Sequence, residues 1–151
     1  MSRIESWDRL AETAARGDRG ALERLCSAVG PVIGLLCRAE LGTDLPAADI
    51  CRSVLVGLPR HNGGTPFLHA VYSETARQIR RIRTSDAHLP HALTNLSEAQ
   101  REVLVLRTIC AFSVAETAVA LGRTDGAVRV LQHRAMTQLR TVAVARSTPS
   151  A

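Results

Sequence analysis

Histidine, cysteine and carboxylate side chains are where catalysis or metal binding would have to start in this chain. It holds five histidines (His61, His69, His88, His91, His133) and four cysteines (Cys26, Cys37, Cys51, Cys110). A zinc-type site needs three or four nitrogen or sulfur ligands at one point, usually announced by two closely spaced pairs. His88 and His91 make one H-x-x-H pair with Cys51 as a third ligand on offer, but no second pair accompanies them. The cysteines show no C-x-x-C spacing. Most lie beside Leu or Val at helix-face positions, where a reduced thiol acts as a small hydrophobe. No nucleophile, base and acid stand at a defined spacing. The sequence therefore predicts no metal, no cofactor and no catalysis. What remains is arginine chemistry, in which a planar guanidinium forks onto phosphate or onto the edge of guanine.

All 19 basic residues are arginine. Residues 1–60 balance 8 arginines against 8 acids, whereas residues 61–151 carry 11 against 6, so the net +5 lies wholly in the second part. A basic half points to a polyanionic partner, most often nucleic acid; the alternative is a merely solvated surface. Two groupings stand out. Arg77, Arg80, Arg81 and Arg83 crowd one stretch, and Arg129, His133 and Arg134 another, with Arg107 and Arg123 nearby.

The elements that must position these groups read as helices. Hydrophobic residues make up 46% of the 151 and aromatics only 3%, which disfavours strands. Apolar residues recur at helical spacing between breaks at Gly17, at Gly30 and Pro31, at 42–46, at 62–64 and at 84–95. The expected fold is all-α. Asp18 caps a helix carrying Ala21, Leu25 and Val29, and the apolar segment 32–41 forms a separate, buried helix after Gly30 and Pro31. Ala47, Ile50, Cys51, Val54 and Leu58 make the next stripe. Thr65 caps a helix with Pro66 at its first position, burying Leu68, Val71, Tyr72, Thr75, Ile79 and Ile82 while Arg77, Arg80 and Arg81 face away. Residues 84–95 lack a stripe and read as a linker. The expected organisation is a helical domain over 1–83, the linker 84–95, a second domain over 96–143 and a flexible tail over 144–151. The longest apolar run, near 31–37, is far too short for a bilayer, and the first residues lack a signal-peptide core, so a soluble cytoplasmic protein without membrane insertion is expected.

The second domain is the most sharply punctuated. Ser97 with Gln100 and Ser113 with Glu116 are capping boxes, Gly122 ends a short helix, and Thr124 caps the next. That order makes a helix-turn-helix, whose second helix enters the DNA major groove. With Val128, Leu131, Ala135 and Leu139 inward, a step of about 100° per residue turns Gly126, Arg129, Val130 and His133 outward, with Arg134 flanking. Arg129 can take guanine or a phosphate, and His133 can donate to either. Gly126 lets a phosphate approach the N–H groups at the helix start beside Thr124. Gln132 sits at the edge of the buried stripe, as a contact or half-buried. Arg107 and Arg123 are candidate phosphate contacts.

These residues carry a resemblance. Residues 96–140 are similar to the fourth conserved region of bacterial RNA polymerase sigma factors, above all the small extracytoplasmic-function group of actinobacterial type. Leu96, Gln100, Arg101, Glu102, Val103 and Leu106 match its opening. Glu116, Ala118, Leu121 and Gly122 match its first helix-turn-helix helix, and Gly126, Val128, Arg129, His133, Arg134 and Ala135 its second. Upstream, Ala48 and Asp49 resemble part of the second conserved region, and 66–83 resembles its promoter-melting helix. Arg52, Ser53, Ala70 and Glu74 depart from the usual pattern.

The resemblance implies a non-enzymatic specificity subunit whose partners are promoter DNA and core polymerase. The Asp49 helix, with Arg52, would dock on the β′ clamp helices. Phe67, Tyr72, Arg77, Arg80 and Arg81 would face the −10 element. The C-terminal domain would read the −35 element and touch the β flap. Family members are often held by an anti-sigma factor. Base stacking on an aromatic is worth about 1–3 kcal/mol, so having only Phe67 and Tyr72 predicts weak melting. A sigma-like DNA-binding regulator that does not initiate alone is the other reading.

Overall fold

The computed structural model describes residues 1–61, 63–83, 89 and 91–147. It is all-α, with no strand among the described residues. Helix α1 (Arg3–Ala15) opens with a capping box between Ser2 and Glu5 and buries Trp7, Ala11 and Ala14. Helix α2 (Arg19–Leu41) is capped by Asp18, whose carboxylate accepts the Ala21 N–H at 2.9 Å. The expected break at Gly30 and Pro31 does not occur, and α2 runs through Pro31 as one 23-residue helix. Proline costs an interior helix its hydrogen bond, but Val29, Val32 and Ile33 around it are all buried. Packing on both sides of the defect outweighs it. By length and hydropathy α2 could cross a membrane, a length the uninterrupted apolar run alone does not reveal. Here its apolar face supplies Leu25, Val29, Ile33 and Leu36 to the core.

Helix α3 (Ala47–Val56) leads through a 3-10 turn (Leu58–Arg60) to α4 (Phe67–Ile82). The cap of α4 differs from expectation. The helix begins at Phe67, after Pro66, and neither Thr65 nor Pro66 supplies a side-chain cap. Instead, the Asp8 carboxylate of α1 accepts the Phe67 N–H at 2.6 Å. Ile82, expected inward, is 42% exposed because α4 ends there.

Residues 84–88 and 90 of the expected linker lie outside the described residues, and its later part is packed. Leu89 and Leu96 are buried, and Leu93 of the single-turn helix α5 (His91–Thr94) joins a cluster with Leu104, Ala135, Met136 and Leu139. Helix α6 (Glu98–Leu104) continues into a π-helical turn (Val105–Ile109), followed by α7 (Val114–Leu121) and α8 (Asp125–Ser147). Helix α8 thus runs past residue 143, and 148–151 lie outside the described residues.

The two parts of the chain share one core. Val105, Leu106, Cys110, Phe112 and Ala120 lie in the same buried cluster as Trp7, Leu25, Phe67 and Val71. Ala111 takes a left-handed φ of 56° just before Phe112 enters that core. Polar contacts stitch the seam. His69 Nδ1–H of α4 donates to the carbonyls of Val119 and Ala120, at 3.2 and 3.0 Å, at the end of α7. Arg3 pairs with Glu116 at 3.2 Å while its guanidinium lies over the Phe112 ring. Arg83 and Arg101 both pair with the buried Glu40.

Candidate nucleic-acid interface

Helices α7 and α8 owe their positions to local chemistry. Ser113 Oγ accepts the Glu116 N–H at 3.0 Å, and the Ser113 N–H donates back to Glu116 Oε1 at 2.8 Å. Gly122 closes α7 with a left-handed φ of 64°, and a Cβ there would meet His69 Cε1 at 3.3 Å. The turn therefore needs glycine twice over, for its φ and for the approach of His69. Thr124 Oγ1 then accepts the Ala127 N–H at 3.1 Å and starts α8.

Val128 and Ala135 are fully buried and Leu131 and Leu139 partly so, which fixes the rotation of α8. Thr124, Gly126, Arg129, Val130, His133 and Arg134 are all exposed. Gln132 is half-buried and accepts a hydrogen bond from Arg107 Nε at 3.0 Å. Arg107 also donates to the Phe112 carbonyl. Its guanidinium thus braces α8 against the turn before α7. Arg123 lies exposed on the turn between α7 and α8.

A cleft beside this exposed face is lined by Arg107, Val114, Arg129, Gln132, His133 and Arg140. Arg140 was not singled out from sequence. Its signal is spacing, since it stands seven residues after His133 and eleven after Arg129, near whole numbers of helical turns. Three cationic or potentially cationic groups of α8 therefore line one wall. Such a wall suits a run of phosphates.

The residues expected on the −10 side fare differently. Phe67 is 2% exposed and packs edge-on to His61, at 5.3 Å between ring centroids, so it offers no face to a base. This aromatic at the first position of α4 belongs to the core that α1, α2 and α3 also line. Tyr72 is half-buried in a cavity with Glu40, Arg80, Arg83, Arg101 and Glu102. Burial, with Glu102 and Glu40 nearby, pushes the pKa of its hydroxyl up. Arg77 is forked onto Glu74 at 2.6–3.0 Å. Arg80 reaches Glu98 at 3.2 Å and Glu102 at 3.6 Å. Burial, with the like charge of Glu98, raises the Glu102 pKa, and Arg80 opposes that shift. Arg81 is exposed. On α3, Asp49 and Arg52 are exposed and pair with each other at 3.1 Å.

No group of three or more metal-ligating side chains gathers among the described residues. His88 lies outside them, and Cys51 sits on α3. Burial pushes the Cys37 and Cys110 thiols up to about 11, so both stay protonated near neutrality.

Comparison with known proteins bears on both helices. The family model described as Sigma-70, region 4 matches residues 88–139. The ECF RNA polymerase sigma factor SigD of Mycobacterium tuberculosis is 31% identical, covering 93% of this chain and 85% of its own length. The ECF RNA polymerase sigma factor ShbA of Streptomyces griseus is also 31% identical, over 89% of this chain and 93% of its own. Among solved structures, CnrH in complex with the cytosolic domain of CnrY superposes with a TM-score of 0.75 at 25% identity, over 94% of this chain and 99% of that one.

Proposed function

This chain belongs to the ECF RNA polymerase sigma factors, and from that membership we propose that it directs core polymerase to promoters through α8 and α4. Helix α8 enters the major groove of the −35 element. Arg129, Val130 and His133 meet base edges, Gln132 stands at the edge of that face, and Thr124 and Gly126 bring the helix start close to the backbone. Arg123, Arg134 and Arg140 hold phosphates, which positions the helix without specifying sequence. The observation that carries this reading is the single exposed face holding Gly126, Arg129, Val130 and His133 opposite the buried Val128 and Ala135.

Helix α4 engages the −10 element through Arg81, with Arg77 joining when Glu74 releases it and Arg80 when Glu98 and Glu102 do. Helix α3 presents Asp49 and Arg52 to the polymerase β′ clamp helices, and the α6–α8 unit reaches the β flap. The unit over 1–83 and that over 96–143 act as two domains in this scheme. An anti-sigma factor is a further partner, supported by the likeness to CnrH in its complex with part of CnrY. The work is that of a non-enzymatic subunit of the cytoplasmic polymerase.

One observation favours the second reading, a promoter-binding accessory factor that does not initiate alone: the two aromatics of the −10 helix are turned into the core or the seam. Run-off transcription with purified core polymerase decides between them. Transcripts from a bound promoter are expected. Promoter binding with no transcript from any bound fragment would overturn the initiating role.

A further inference from the structure

Val130 is out of character with the face it occupies. It is 49% exposed and is the one exposed large apolar side chain between Ile109 and Val144 among the described residues. Helix formation does not ask for it, since a β-branched residue is a poorer helix former than Ala, Gln or Arg at a solvent-facing position. One turn earlier Gly126 shares its face, and a Cβ placed there would meet nothing within 4 Å. Gly126 and Val130 thus form a low apolar strip. Exposed Arg129 and His133 run along one side of it and Arg134 along the other.

In the major groove one common base edge is apolar, the C5 methyl of thymine, whereas guanine offers O6 and N7 to a guanidinium. Cytosine at the same place lacks the methyl and projects an amino group that Val130 cannot accept. We propose that Val130 contacts a thymine methyl beside the group taken by Arg129, and so selects thymine over cytosine at one position of the promoter. This rests on α8 being the element that enters the major groove, and it names the base that its apolar position chooses.

The test is a cycle across the interface. Duplexes are selected from a random pool by the full chain bound to core polymerase. Each thymine of the enriched element is then replaced singly by uracil, which lacks only the methyl. One replacement should weaken wild-type binding about fourfold, the effect of burying one methyl-sized group. Val130→Ala should be weakened to a similar extent on thymine and should lose nothing further on uracil. Val130→Thr, which keeps one methyl and the branched shape, should retain part of the discrimination. Equal wild-type binding of thymine and uracil at every position overturns the proposal while leaving α8 a DNA reader. A Val130→Ala chain that still responds to the methyl does the same. A pool without an enriched sequence overturns the reading of α8 and the proposal with it.

Discussion

Helices α8 and α4 both carry several arginines, yet the fold places them in opposite situations. On α8, local caps and a narrow buried stripe set the rotation, and Arg129, His133 and Arg134 stand in solvent. Helix α4 buries Phe67, Leu68, Val71, Thr75 and Ile79, and carboxylates occupy most of its guanidinium groups. Arg77 meets Glu74 within α4, Arg80 meets Glu98 and Glu102 across the seam, and Arg83 turns inward to Glu40. The lesson is about charge. A row of arginines stays open to a polyanion only where the fold leaves its counter-charges elsewhere.

The largest perturbation of this contrast is to break the seam. Glu40→Gln would leave Arg83 and Arg101 facing a neutral amide in a buried place, and removing one partner of a buried ion pair costs about 3 kcal/mol or more. The thermal unfolding midpoint should fall by ~10 °C; an unchanged midpoint would show that the cluster contributes little to the stability of the fold. Next comes Arg129→Ala, which should cost about 1–3 kcal/mol of promoter affinity and relax sequence preference. An equal loss on all sequences would reduce Arg129 to a phosphate contact. On α4 the comparison is within one helix. Arg81→Ala should lower the log–log salt slope of promoter binding by about 0.9. Arg80→Ala should lower it less, because Glu98 and Glu102 already neutralise that guanidinium. Equal slopes would mean that the seam opens on binding.

The smallest effect is pH-dependent. Burial raises the Glu102 pKa in the folded chain, so the folded state holds that proton more tightly than the unfolded one. This contribution to stability is full below the unfolded value of about 4.3 and is lost as pH rises through the folded value. Glu102→Gln, permanently neutral, should match the wild type near pH 4 and gain on it toward neutrality. Denaturant midpoints across that window measure the difference, and parallel curves would contradict it.

What could be read from sequence was local. Ser97 with Gln100, Ser113 with Glu116, Gly122 and Thr124 all act within four residues of their partners, and each forms the contact its spacing predicts. The outward turn of Arg129 and His133 followed from that, because the buried stripe is periodic. What could not be read was non-local. Proline inside α2 is tolerated because of helices packed on it, and Leu93 and Leu96 are covered by packing with α6 and α8. No periodicity announces that Phe67 faces the core or that Arg107 is held by Gln132 and the Phe112 carbonyl.

The carboxylate of Asp8 gives α4 a different kind of origin from its neighbours. Its first N–H group is satisfied by a residue 59 positions earlier in the chain, where α7 and α8 are started by residues three positions away. Closing so long a loop carries an entropic cost that a local cap does not. The docking of α1 must therefore come before, or together with, a fixed start for α4. The starts of α7 and α8 are fixed by neighbours in sequence, whereas the Phe67 N–H of α4 gains its partner only once α1 has docked.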